Sequence, residues 1–391
     1  MKLGKDVVKA EAYLNKCCDP GRSRGYYLIY KISVKIDTKK RVESAMRVVQ
    51  FVIPSEGRRV GFVDGDNIVD VTAADTSLTS VFDVFEASQV SGKSFDETLL
   101  RAGAAGKRLD YSELLGAEVG GTSAYLIAPF DHPDTHRVIV SGTGLTHTGS
   151  MKSRDQMHSG DEKPSEEPAT DSARMFQMGI DGGKPEPGQR GTSPEWFYKG
   201  NGTIVRGPGE GLEIPAFALD GGEEPELGGC YFIDNTGTPR RVGFTLGNEW
   251  ADHETERINY LYLAPSKLRS CAIGPELVTD FEFEDLKLEC TVERDGKMIY
   301  ESGPLYSGEE YMSHTLANCE DHHFKYPLHR VPGDAHIHFF GTSQLSYSTR
   351  DWKFRPGDVI TISSEGFSAP LSNPVVGGDP AEGRPIRVAK A

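Results

Sequence analysis

The chain has 391 residues with a formal net charge of −15, 37% hydrophobic residues, 44 glycines and 23 prolines. That length suits two domains with a sizeable core, and the glycine and proline content suits a turn-rich, strand-rich globular protein. The acidic balance argues against nucleic acid and anionic membranes as partners, and no apolar run approaches the roughly 20 residues that span a bilayer.

The first 45 residues hold 11 Lys/Arg and 5 Asp/Glu, a net of +6 that leaves −21 for the remaining 346. No secretory h-region is present, since the apolar run at 26–30 is too short. Met46 is therefore read as the natural start, with 1–45 a basic extension outside the fold. From Met46 to about residue 130 the pattern predicts a small α+β domain. A strand covers 46–53, and a hairpin joins 59–63 to 68–71 through the turn Asp64-Gly-Asp-Asn67. Ser77 is the expected cap of a helix through Val81, Phe82, Val84 and Phe85, and a second helix covers 95–102.

The larger domain is expected over 131–391. A buried strand at 136–140 leads into a glycine-containing exit, Gly142 to Ser150, that matches neither a dinucleotide fingerprint nor a P-loop. His147 and Arg154 follow that exit, where loops carry function, and either can touch a substrate hydroxyl or carboxylate. The polar segment 151–194 reads as a linker or an active-site cover, with one helical patch at 172–178.

The organising stretch is Gly221-Gly-Glu-Glu-Pro-Glu-Leu-Gly-Gly229, ahead of the apolar run 230–233. A period of two sends Glu224 and Glu226 to one face of an extended segment. Paired carboxylates need separating solvent, a shared proton or a cation. The stretch alone fits either an acidic surface loop or an oxygen-donor site for magnesium or manganese. The next strand, 241–248, ends in Glu249, which can deliver a third carboxylate, and Lys267 follows a helical segment over 251–257. A lysine beside a bound keto acid can neutralise its carboxylate or move a proton. Leu286–Val292 and Lys297–Tyr300 read as another hairpin. His336 and His338 share a strand face and His322 adjoins His323, but no carboxylate or thiol at regular spacing joins them, so they read as ordinary polar residues. The six cysteines lack CxxC spacing and read as reduced thiols of a cytoplasmic protein.

Five motifs occur in one order: Glu224-Pro-Glu-Leu227, Gly243-Phe-Thr-Leu-Gly-Asn-Glu249, Lys267 before Ser270-Cys-Ala-Ile-Gly-Pro275, Gly341-Thr342 and Arg355-Pro-Gly-Asp358. In this they resemble the fumarylacetoacetate hydrolase superfamily over most of 46–375, particularly its GguC-like proteins and 2-keto-3-deoxy-sugar-acid dehydratases. The resemblance implies an α+β, β-rich fold, a mixed β-roll catalytic domain behind a smaller N-terminal α+β domain, in a homodimer with one divalent cation per site. It implies Glu224, Glu226 and Glu249 as metal ligands, with glutamate at 249 where the family has aspartate. It further implies Lys267 as the active-site lysine, and Thr342, with Gly341, as the contact for a substrate carboxylate. The family's lid His/Glu pair has no counterpart after Thr146-His147, which weakens a water-activating mechanism.

A 2-keto acid can chelate a divalent cation through its carboxylate and C2 oxygen, which stabilises the enolate left when a C3 proton departs. With a C4 hydroxyl, loss of water follows. The expected function is dehydration of a 2-keto-3-deoxy-sugar acid, the alternatives being C–C hydrolysis of a 2,4-diketo acid and metal-dependent keto-acid binding without turnover.

Overall fold

The computed structural model describes residues 9–14, 28–33, 45–149, 152 and 170–391, which fall into two compact units, Met1–Ala45 and Met46–Ala391. In the first, strands Lys9–Leu14 and Leu28–Ser33 pair antiparallel, Lys9 opposite Ser33.

The second unit is a strand-rich α+β structure built on two sheets. Its larger sheet begins with β1 (Arg47–Ile53), β2 (Gly57–Asp64) and β3 (Asn67–Asp70), an antiparallel meander. The β2–β3 turn is two residues long, and Gly65 takes the positive φ of +63° that it requires. Next come β4 (Val138–Gly144), β5 (Glu195–Asn201), β6 (Pro225–Ile233), β7 (Pro239–Asn248) and β8 (Ala335–Phe339). Across the sheet the order is Lys107–Asp110, β3, β2, β1, Leu277–Val278, β7, β6, β8, β4, β5. The β8–β4 pair is parallel and its neighbours are antiparallel, so the sheet is mixed. Val48 of β1 pairs with Leu277, which carries the ladder from the N-terminal meander into the site-bearing strands. The smaller sheet orders Leu212–Ile214, Leu371–Gly377, Val359–Ser364, Leu286–Arg294 and Lys297–Glu301. Among the described residues neither sheet closes into a barrel.

Helices α1 (Val81–Ser91) and α2 (Phe95–Ala102) cover the sheet. Ser80, not Ser77, caps α1: its hydroxyl accepts from Asp83 N, while the Ser77 amide is engaged in a tight turn with Asp75. Strand β4 starts at Val138, later than expected, because Asp134 accepts from His136 N and winds 135–137 into a 3-10 turn. Helix α3 (Asp171–Gly182) contains the expected patch, with Thr170 as its cap. The main core joins α1 to the sheet: Phe232 meets the rings of Phe82, Phe85 and Phe130 at 4.5 to 5.3 Å, beside Val138, Val140, Ile337 and Phe339. Each such buried side chain contributes about 1.5–3 kcal/mol. The four described cysteines, 230, 271, 290 and 319, are buried free thiols.

Candidate active site

The site grows from the β6–β7 hairpin. Pro225 lies opposite Asn248 and Glu226 opposite Gly247, and Glu249 N donates to Glu224 O at 3.0 Å, so Glu224 and Glu249 face each other across the strand ends. Residues directly opposite share a face, and so do residues two apart. Hairpin register and strand period together therefore bring Glu224, Glu226 and Glu249 to one place, where a carboxylate oxygen of each lies within 4.8 Å of the others. All three are buried, at 6%, 2% and 0% exposure, which rules out the acidic-surface-loop reading. Pro225 opens the strand where β6 has only its β7 neighbour, since pairing to β8 starts at Gly228, and no ladder donor is lost there.

The surrounding glycines are dictated by close packing. A Cβ on Gly221 would meet the Trp250 ring at 2.2 Å, and one on Gly222 would meet His253 Nδ1 at 2.2 Å. Glu223 points away from its neighbours and accepts from Ser346 N and Oγ at 2.6 and 2.7 Å, holding the 345–350 segment over the site. Gly341, at φ +90°, turns its N–H onto Glu226 Oε2 at 2.7 Å. A side chain there would strike Thr146 Oγ1 at 2.3 Å.

Helices α4 (His253–Ile258) and α5 (Leu263–Lys267) follow β7. Asp252 caps α4 and pairs with buried Arg269, whose guanidinium also donates to Asp220 O. From α4, His253 Nε2 sits 3.0 Å from Glu224 Oε1. From the end of α5, the Lys267 ammonium donates to both Glu224 and Glu249, and stands 4.8 Å over the Phe197 ring. A second buried lysine, Lys199 of β5, lies 2.5 Å from Glu249 Oε1. Gly144, Leu145, Phe197, Glu224, Glu226, His253, Glu256, Lys267, Gly341, Thr342 and Leu345 bound a cavity of about 20 Å³, room for roughly one water or ion.

The electrostatics are those of an incompletely neutralised carboxylate cluster. Burial works against charge on Glu224, but Lys267 and His253 outweigh it and hold the carboxyl well below its ordinary range. Burial raises Glu249 to about 7 despite both lysines. Burial, then Glu224 and Glu249, push Glu226 well above its ordinary range. Desolvation opposes the Lys267 charge, yet Glu224 and Glu249 prevail and keep it an ammonium. A buried third carboxyl whose ionisation is opposed by burial and by its two neighbours calls for more positive charge. An oxygen-only donor set around an ion-sized cavity fits a hard divalent cation. Among the described residues this is the one group of three or more His, Cys, Asp or Glu side chains close enough to hold a metal.

Of the residues expected from sequence, Glu224, Glu226, Glu249, Lys267, Gly341 and Thr342 converge here. The Thr342 hydroxyl donates to Gln344 O at 3.2 Å. His147 does not line the cavity: its Nδ1 meets Thr146 Oγ1 at 2.9 Å, its Nε2 meets Ser307 Oγ at 3.4 Å, and burial lowers it to about 4, so it stays neutral behind the Gly341 turn. Arg154, and 151 and 153–169 of the expected cover, lie outside the described residues. Sequence reading missed Lys199, His253 and Glu256. The spacing of His253 and Glu256 on one helix face was the available signal for that pair.

No family model matches the chain. A probable 2-keto-3-deoxyxylonate dehydratase of Haloferax volcanii is 30% identical over 187 residues, 46% of this chain and 60% of that protein. The chain thus matches less than two thirds of that relative's length. Two solved structures cover 85% of this chain: a 2-keto-3-deoxyarabinonate dehydratase, 18% identical with a TM-score of 0.61 over 100% of its length, and a 2-keto-3-deoxy-D-arabinonate dehydratase complexed with magnesium and 2,5-dioxopentanoate, 19% identical with a TM-score of 0.60 over 99%. The fumarylacetoacetate hydrolase of Exiguobacterium antarcticum also covers 85% of this chain, at 17% identity and a TM-score of 0.54 over 99% of its length. The chain has the fumarylacetoacetate hydrolase fold. In that fold the carboxylate triad sits at the end of the central β6–β7 hairpin, and the expected β-rich α+β architecture is the one observed. No helix of the described residues is long and apolar enough to cross a membrane.

Proposed function

We propose that this protein dehydrates a 2-keto-3-deoxy-sugar acid, with a magnesium or manganese ion held by Glu224, Glu226 and Glu249. The observation that carries this reading is the buried triad bridged by Lys267, in a chain similar to a probable dehydratase of such an acid. When bound, the cation supplies Lewis-acid stabilisation of negative charge on the substrate's C2 oxygen.

The chain's own groups supply binding and proton transfer. Thr342 at the cavity wall receives the substrate carboxylate end. Glu256, a buried carboxylate facing the cavity outside the triad, is the base for the C3 proton. The electron pair left at C3 forms the C3–C4 double bond as the C4–O bond breaks. Lys267 is assigned as donor, since its partners keep it protonated. Its proton lets the C4 hydroxyl leave as water, and transfer back from Glu256 resets the site. From a pentonate the 5-hydroxy-3-ene so formed reaches the dioxo acid as a C5 proton leaves and C3 is protonated, giving a C5 enol whose O–H proton leaves as C4 is protonated. Proton transfer by positioned groups of this kind contributes roughly 10²–10⁴-fold.

The deciding experiment incubates magnesium-loaded protein with 2-keto-3-deoxypentonates and, separately, with 2,4-diketo acids, with and without EDTA. A dioxo acid formed without carbon loss, and only with metal, is expected. Pyruvate released from a diketo acid would replace dehydration by C–C hydrolysis, and unaltered substrates with retained binding would leave a keto-acid binder.

A further inference from the structure

Strand β5 alternates, burying Glu195, Phe197 and Lys199 while Trp196 and Tyr198 face outward. Its register against β4 breaks at one point. Tyr198 lies opposite Ser141 and Gly200 opposite Val140, so Lys199 between them has no partner in the ladder. The alternation already turns Lys199 to the inner face shared by Glu195 and Phe197, and the bulge leaves it outside the ladder. The strand thus delivers an ammonium with no exposed surface, whose partners all belong to 249–267: it donates to Trp250 O at 2.7 Å and Lys267 O at 3.0 Å, and forms an ion pair with Glu249 Oε1 at 2.5 Å. The Lys267 O is a carbonyl at the end of α5, and α5 carries the Lys267 side chain. One buried cation thus ties the third carboxylate to the backbone of the site lysine, through a residue 50 positions before Glu249.

We infer that Lys199 is a positioning residue of the cation site, fixing the Glu249 carboxylate at the triad and anchoring the helix end that carries Lys267. The inference rests on the triad being a cation site, and the structure gives it a specific reason. Glutamate has one methylene more than aspartate, so its carboxylate needs a second point of attachment to stay opposite Glu224. Lys199 provides that point from the sheet, while Lys267 holds the other oxygen. Removing a group that orients a metal ligand typically costs 10–100-fold in metal affinity. Electrostatics alone predicts the opposite sign, because loss of a nearby positive charge favours a cation.

The test measures Mn²⁺ affinity of the full chain by calorimetry, without substrate, for wild type, K199M, E249Q and the double variant, with thermal melting as a check of folding. The expected result is a tenfold or greater loss of Mn²⁺ affinity in K199M, and no further loss when K199M is added to E249Q, since a residue acting through Glu249 has nothing left to position. If K199M does not fold, K199Q, which keeps a donor toward the Trp250 and Lys267 carbonyls but removes the charge, carries the same comparison. Affinity in the folded variant equal to or tighter than wild type, or an equal loss with and without Glu249, overturns the inference. Absence of Mn²⁺ binding in wild type overturns the cation site itself, an outcome distinct from either.

Discussion

The protein buries two clusters of titratable side chains on opposite faces of the same strands, and they solve burial differently. On one face lie Glu224, Glu226 and Glu249. On the other lie His336 and His338 of β8, since Tyr231 and Gly229 are their partners and these alternate with the Glu226 face of β6. His323 Nε2 and His336 Nδ1 are 2.9 Å apart, the rings of His323 and His329 stack at 4.6 Å, Ser141 Oγ meets His338 Nδ1 at 2.9 Å, and Trp196 donates to His323 Nδ1 at 3.2 Å. Burial first, and the neighbouring imidazoles second, lower His336 and His338 to about 3 and His323 well below its ordinary value. Imidazole escapes the cost of burial by shedding its proton and then packs as an aromatic core. The carboxylates bring two lysines with them, and burial with Glu224 and Glu249 still holds the Glu226 carboxyl well above its ordinary range. Buried titratable groups therefore mark a site only where charge remains to be balanced, as it does at the triad and not at the histidines.

The largest expected effect breaks the charged side of this contrast. Glu226→Gln should lower divalent-cation affinity at least about 100-fold and abolish turnover, because a ligand and a charge go together. Wild-type calorimetry in that variant would remove the triad from the mechanism. Glu256→Gln should reduce kcat by about 10²–10⁴-fold with Mn²⁺ affinity within about threefold of wild type; unchanged kcat would strike Glu256 from the proton path. Saturating magnesium should stabilise the fold, by about 2.7 kcal/mol at one hundred times Kd, read as a rise in Tm that EDTA reverses and Glu226→Gln lacks.

The smallest effects belong to the histidine face and appear only with pH. Histidines held neutral in the fold, against about 6.5 unfolded, take up protons on unfolding. Stability is then fully present above about 6.5 and is lost as pH falls toward 3, by roughly 1.4 kcal/mol per pH unit for each histidine. His336→Leu should cost about 1–3 kcal/mol at pH 7 and flatten the acid limb of a denaturation series by about one proton, with Mn²⁺ affinity unchanged. A slope identical to wild type would mean that His336 is charged in the folded protein.

Much of the site was legible because it is local. Glu224 and Glu226 needed only the period of a strand, and Glu249 only the next strand's end. Lys267 and Gly341-Thr342 entered through their order along the chain. The first hairpin and the 95–102 helix followed from turn and capping residues, whereas the cap of α1 moved to Ser80 because Ser77 was already committed to Asp75. Lys199 looked like any strand lysine, and nothing near it announces a bulge. His147 was misleading for the converse reason. It follows a glycine-containing strand exit, yet the backbone turns it away from the cavity toward Ser307.

By itself, then, the sequence determined the carboxylate pair, its third partner and a strand-rich fold around them, since each rests on patterns repeating over two to ten residues. The tertiary structure alone decided that the pair is buried, that Lys199 and Lys267 both hold Glu249, and that His253 and Glu256 look into the cavity while the histidines of β8 look away. Those outcomes depend on which strands pair across 50 to 200 residues and on which face each strand turns inward. A slip of one residue in that register would exchange every solvent-facing side chain of a strand for one in the site.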